Sequence, residues 1–122
     1  MSKINTKVTD SVDFFKGNKP SDLTAKFGSP LYVYSEEILR QRCRDVKNLV
    51  KYPKFSVNYS AKANSNLAFL EIVHEEGLNV DAMSPGEIFV ELKAGFKPEQ
   101  IFYISNNVTA EEMKFAIDHD VL

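Results

Sequence analysis

Lys62 is the residue whose setting in this sequence best suits covalent chemistry. It closes residues 55–62, where Phe55, Val57, Tyr59 and Ala61 fall on one face of an extended chain and Ser56, Asn58, Ser60 and Lys62 on the other. If the apolar set packs against helices, the polar set looks inward. Lys62 then stands at the C-terminal end of a strand, where barrel enzymes hold their active sites. A lysine amine in water is protonated near neutrality and a poor nucleophile. Partial burial and cationic neighbours release it for Schiff-base chemistry with a carbonyl compound. The competing reading is a lysine that ends a strand and meets solvent, and spacing alone leaves both open. Cys43 lies on the apolar face of a helix, which a packing role explains, and His74 and His119 lie on helices behind strands, where a surface or packing role accounts for them.

The elements that must position Lys62 repeat along the chain. After the strand over 55–62, a helix over 67–76 closes at Gly77, and a strand follows over 79–83. Ser84-Pro85-Gly86-Glu87 has the Ser and Glu of a capping box with proline at the first helical position. Its helix runs to about Ala94 and ends at Gly95. A third strand covers 101–105, Thr109-Ala110-Glu111-Glu112 is a second capping box, and its helix ends near His119. Val121 and Leu122 would open a fourth strand. Strands that recur about every 21 residues and alternate with helices predict right-handed βαβ units and a parallel sheet, either doubly wound or a (β/α)₈ barrel. Glu87 and Glu112 are accounted for by capping.

Upstream, residues 1–34 read as an arm with a break at Gly17-Asn18-Lys19-Pro20, a short helix over 21–27 and a short strand over 31–34. Ser35 is a natural N-cap. The helix behind it has an apolar stripe of Ile38, Leu39, Cys43, Val46, Leu49 and Val50, and Pro53 stops it. The expected division is therefore an arm over 1–34 and the βα repeat over 35–122.

Composition narrows the function. The 122 residues are 43% hydrophobic and 26% charged, a globular balance, with net charge −2. Charges of both signs are mixed along the chain, so no basic stripe exists to meet a nucleic acid. No apolar run reaches the roughly 20 residues that cross a bilayer, and the first 30 residues carry no secretory signal pattern. One cysteine builds no internal disulfide, which suits a reducing compartment. The cytoplasm is the expected location.

Four blocks in order carry a family resemblance: Pro30-Leu31-Tyr32-Val33-Tyr34, Tyr59-Ser60-Ala61-Lys62-Ala63-Asn64-Ser65-Asn66, Val80-Asp81-Ala82-Met83-Ser84-Pro85-Gly86-Glu87, and Ser105-Asn106-Asn107 with Glu111 and Glu112 behind it. From about residue 29 to 122 the chain resembles the diaminopimelate decarboxylases, among the barrel-type pyridoxal-phosphate enzymes. The resemblance implies the N-terminal part of a (β/α)₈ TIM-type barrel, three to four βα units that leave the barrel incomplete in this chain. It makes Lys62 the lysine that holds pyridoxal 5′-phosphate as a Schiff base. Asp81 would support the positive charge there, and Asn64, Ser84 and Asn106 would line the site, Ser84 also serving as a cap.

The implied reaction is loss of the α-carboxylate of an amino acid as carbon dioxide, with meso-diaminopimelate giving L-lysine. Racemases of the same fold usually place Ala-Tyr-Gly after Lys-Ala-Asn, so Ser65-Asn66 points to a decarboxylase. An ornithine or arginine decarboxylase is the nearest alternative, and a non-catalytic fragment serving in binding or assembly is another. In the family the glycine-rich phosphate loop, a further β-domain and most substrate contacts come later, and a homodimer partner completes the site. On that reading these 122 residues are an inactive N-terminal fragment. Pro85, Ser105 and Val108 depart from residues frequent in the family, which leaves Lys62 untouched but blurs the subfamily.

Overall fold

Prolines and capping side chains set where the helices begin, and the computed structural model, which describes residues 14–121, shows them at work. The chain divides between Ser35 and Glu36 into two compact units. Residues 1–13 of the expected arm, and Leu122 of the expected fourth strand, lie outside the described residues.

The first unit contains helix α1 (Pro20–Phe27), which Pro20 opens at a position where its missing N–H leaves no bond unmade. Residues 31–34 do not form the expected strand: the segment is irregular, with Tyr32 and Tyr34 exposed. Aromatic and β-branched residues fit a pleated surface, but a strand exists only through the strand it pairs with.

The second unit runs through α2 (Glu36–Lys47), β1 (Asn58–Ser60), α3 (Leu67–Glu75), β2 (Asn79–Ala82), α4 (Pro85–Lys93), β3 (Ile101–Tyr103) and α5 (Ala110–Asp118). The strands form one parallel sheet in the order β1-β2-β3. In register, Tyr59, Val80 and Ile101 make one cross-strand row, Ser60, Asp81 and Phe102 the next, and Ala82 and Tyr103 a third. Rows alternate between faces. The first and third face the helices: Val80 and Ala82 are fully buried and pack with Leu70 and Val73 of α3 and Ile88 of α4. Burying a side chain the size of Leu70 or Ile88 contributes about 2 kcal/mol. The middle row looks out from the other face, where Phe102 is half exposed.

Several boundaries differ from expectation: β1 begins at Asn58 rather than Phe55, and β3 ends at Tyr103, short of the expected Ser105. Regular pairing in β1 ends at Ser60, and residues 61–63 turn into a 3₁₀ helix, so Lys62 sits past the strand rather than on it. The turn is stabilised from behind: the Asn64 Oδ1 accepts from the Asn66 N–H at 3.0 Å, and Tyr59 donates its hydroxyl to the Asn64 carbonyl at 3.3 Å. Helix α2 ends at Lys47, ahead of Pro53, with the Asn48 side chain donating to the Arg44 carbonyl at 2.8 Å. Val121 is buried but belongs to no strand.

Of the stripe expected on α2, only Cys43 is buried, whereas Leu49 is 78% exposed. Charge does much of the fastening to α3. Arg40 donates to Glu36, Glu75 and Glu76 at 2.8, 2.7 and 3.2 Å, Arg44 grips both oxygens of Glu76 at 2.7 and 2.8 Å, and Lys47 donates to the Glu76 carbonyl at 3.1 Å. The Arg44 fork holds the Glu76 carboxyl below its ordinary value. A depressed carboxyl contributes above its unfolded value and loses that contribution as acid protonates it, so this fastening holds at neutral pH and weakens in acid. Glu76→Ala is expected to strip hydrogen-exchange protection from the α2 amides while those of β2 keep theirs, and added salt is expected to mimic part of the effect.

One buried side chain breaks the apolar pattern. Glu91 of α4 lies three residues after Ile88 on the sheet-facing stripe and is fully buried. Neither carboxylate oxygen has a hydrogen-bond partner among the described residues. Burial first, then the negative charges of Glu87 and Asp81, push its carboxyl up to about 7.

Candidate active site

Because the strands are parallel, the segments that follow β1, β2 and β3 emerge at one edge of the sheet. That edge gathers Lys62 and Asn64 after β1, Asp81 within β2 and Ser84 just behind it, and Asn106 after β3. Lys62 is exposed in its 3₁₀ turn, and the turn packs against β2. An amine on a turn pinned to a neighbouring strand has a fixed root and a free tip, which suits a covalent anchor.

Asp81 is half-buried on the open face and accepts a 2.8 Å hydrogen bond from the Ser60 hydroxyl on its Oδ2. Ser84 caps α4, its Oγ accepting from the Glu87 N–H at 3.2 Å. The answering carboxylate does not return to the Ser84 N–H as a regular capping box requires; Glu87 Oε2 accepts from the Met83 N–H at 2.6 Å, one residue earlier. Glu87 thus ties the residue that follows β2 to the helix start. Ser84→Ala is expected to cost about 1 kcal/mol in denaturant unfolding, the usual loss for an N-cap hydroxyl. At Thr109 and Glu112 both arms of the box close, at 3.2 and 2.8 Å.

The Asn64 amide oxygen is engaged in its own turn, as described, while Asn106 is exposed in the bend after β3, next to Asn107 at φ 58. His74 packs edge-on against Phe96 at 4.9 Å, and His119 stacks on Phe115 at 4.1 Å with its Nδ1 2.8 Å from the Phe115 carbonyl. Both sit on helices behind the sheet, in packing roles. Among the described residues no group of three or more His, Cys, Asp or Glu could hold a metal ion, and no helix is long and apolar enough to cross a membrane.

Ser60 and Phe102, which share a row with Asp81, were not singled out as site residues from the sequence. Both were within reach of the repeat: an offset of 21 residues takes Ser60 to Asp81 and Asp81 to Phe102.

Three parallel βα units with a lysine at the mouth of the first strand match the opening of a lysine-bearing (β/α)₈ barrel, the fold of the pyridoxal-phosphate decarboxylases this chain resembles. Comparison with known proteins narrows the class. The family model described as pyridoxal-dependent decarboxylase, pyridoxal binding domain, matches residues 36–122. The chain is 44% identical over 102 residues to the diaminopimelate decarboxylase of Methanothermobacter thermautotrophicus, covering 82% of this chain and 24% of that one. It is 37% identical over 101 residues to the Bacillus subtilis enzyme of the same name, covering 81% and 23%. The crystal structure of Helicobacter pylori diaminopimelate decarboxylase complexed with L-lysine superposes with a TM-score of 0.79 at 31% identity, covering 85% of this chain and 26% of that one. The chain belongs to the pyridoxal-dependent decarboxylase family, through its pyridoxal-binding domain. It spans about a quarter of the length of the relatives it matches.

Proposed function

We propose that this chain is the lysine-bearing portion of a pyridoxal 5′-phosphate-dependent carboxy-lyase that converts meso-diaminopimelate to L-lysine. The observation that carries the reading is the placement of Lys62 at the C-terminal edge of a parallel sheet, in a chain 44% identical to a diaminopimelate decarboxylase.

The donor set at the edge fits the cofactor. An exposed amine just past β1 could bond its aldehyde carbon, and a half-buried carboxylate stands on the open face of the neighbouring strand. When bound, pyridoxal phosphate supplies an electron sink for the carbon that loses carbon dioxide. The remaining work falls to side chains. Lys62 would hold the cofactor and would be placed to take or give a proton at the carbon that reacts. Asp81 would favour positive charge on a nitrogen held at the mouth of β1. Asn64, Ser84 and Asn106 line the edge, with Asn64 and Ser84 rigid through their turn and cap.

A homodimer that completes the site, and a cytoplasmic location, belong to the same proposal. The test is turnover by the full-length protein with meso-diaminopimelate, L-ornithine and L-arginine in parallel. Release of carbon dioxide from diaminopimelate at a kcat/KM far above the other two supports the reading. Preference for ornithine or arginine overturns the substrate assignment while keeping the reaction class.

A further inference from the structure

We infer that Ser60 is a positioning residue for the cofactor site: its hydroxyl aims the Asp81 carboxylate at the cationic nitrogen held by Lys62. This rests on the function proposed above and deepens it.

Asp81 stands in the middle of a three-residue row on the open face, between Ser60 of β1 and Phe102 of β3. Phe102 has no polar atom to offer, so within the row only Ser60 can direct the carboxylate. It does so through the 2.8 Å hydrogen bond to Oδ2. A carboxylate accepts at both oxygens, and Oδ1 has no hydrogen-bond partner among the described residues. One oxygen is tied to the sheet and the other is left for a ligand.

The tie comes from the strand that carries the lysine. Ser60 is the last residue of β1, Lys62 follows two residues later, and that turn packs against β2. One short segment therefore supplies both the anchoring amine and the hydroxyl that orients its counter-charge. An alanine here would leave the sheet pairing intact, because the ladder uses only backbone atoms, but would let Asp81 swing about its first side-chain torsion.

The experiment uses the full-length holoenzyme. Ser60→Ala, Ser60→Thr and Asp81→Asn are compared with the parent for pyridoxal phosphate dissociation constant, visible-band circular dichroism of the bound cofactor, and far-ultraviolet circular dichroism. Borohydride reduction and peptide mapping locate the attachment site. Ser60→Ala is expected to weaken cofactor binding about tenfold, the scale of a hydrogen bond to a charged group. It should also change the visible dichroism while the far-ultraviolet spectrum stays as it was. Ser60→Thr, which keeps the hydroxyl, should restore both. If Ser60→Ala matches the parent in affinity and visible dichroism while Asp81→Asn does not, the positioning role is overturned. If neither variant changes them although the label lies on Lys62, Asp81 is no cofactor partner and the inference falls with it. A label on another lysine overturns the functional reading beneath.

Discussion

Lys62→Ala in the full-length protein is expected to lower turnover of diaminopimelate by about 10³-fold or more, and borohydride reduction of the unmodified protein should leave the cofactor on the peptide that contains Lys62. A positioned acid–base group alone typically contributes 10²- to 10⁴-fold, and Lys62 is proposed to anchor the cofactor as well. No second lysine follows it in the turn over 61–63 or in the segment up to α3. Methylamine added to the variant should restore a fraction of the rate if the missing element is an amine. Turnover within tenfold of the parent, or a reduced label on a different lysine, would remove Lys62 from the centre of the site.

The second large effect concerns stability. The Glu91 carboxyl, raised from an ordinary 4.5 to about 7, stays protonated in the fold while the unfolded chain ionises. Between those values the folded state binds more protons than the unfolded one, so stability falls as pH rises from about 4.5 to about 7 and levels off above. The full difference corresponds to about 3 kcal/mol. Glu91→Leu replaces the carboxyl with an apolar group on a stripe it shares with Ile88. It is expected to remove this slope and to raise the melting temperature at pH 7.5 by about 5 °C. Melting curves of both proteins from pH 4.5 to 7.5 test this. A slope that survives in Glu91→Leu would show that another group titrates, and a lower melting temperature across the range would show that the carboxyl is satisfied.

How much of this was legible in the sequence follows from the range of each interaction. The caps at Ser84 and Thr109 and the stops at Gly77 and Gly95 rest on neighbours three or four residues away, and the structure shows them where the sequence implied. The spacing of strands showed through because each βα unit repeats. The misjudged features depend on distant partners. Alternation through residues 55–62 continued past the point where β1 loses its neighbour, so Lys62 was assigned to the strand and not to the turn. The apolar stripe on α2 anticipated a buried face, yet Glu76, 32 residues beyond Arg44, holds that helix by charge. Glu91 looked like one more polar helical residue, since only the packed sheet tells which side of α4 is closed. The Ser60–Asp81 bond joins two strands, and neither residue alone announces it.

The uniform register of the sheet bears on how the chain folds. Every cross-strand pair, from Asn58 with Asn79 to Ala82 with Tyr103, joins residues 21 positions apart. Closing a loop costs an entropy set by its length, so β1–β2 and β2–β3 meet the same modest barrier, and neither waits on a remote segment. Parallel sheets are usually slow to form because their contacts are far apart in sequence. Here each strand needs only the one before it and the helix between. Formation can therefore run as a zipper in chain order, like a repeat protein adding units, and a nascent chain leaving the ribosome presents these units in that same order.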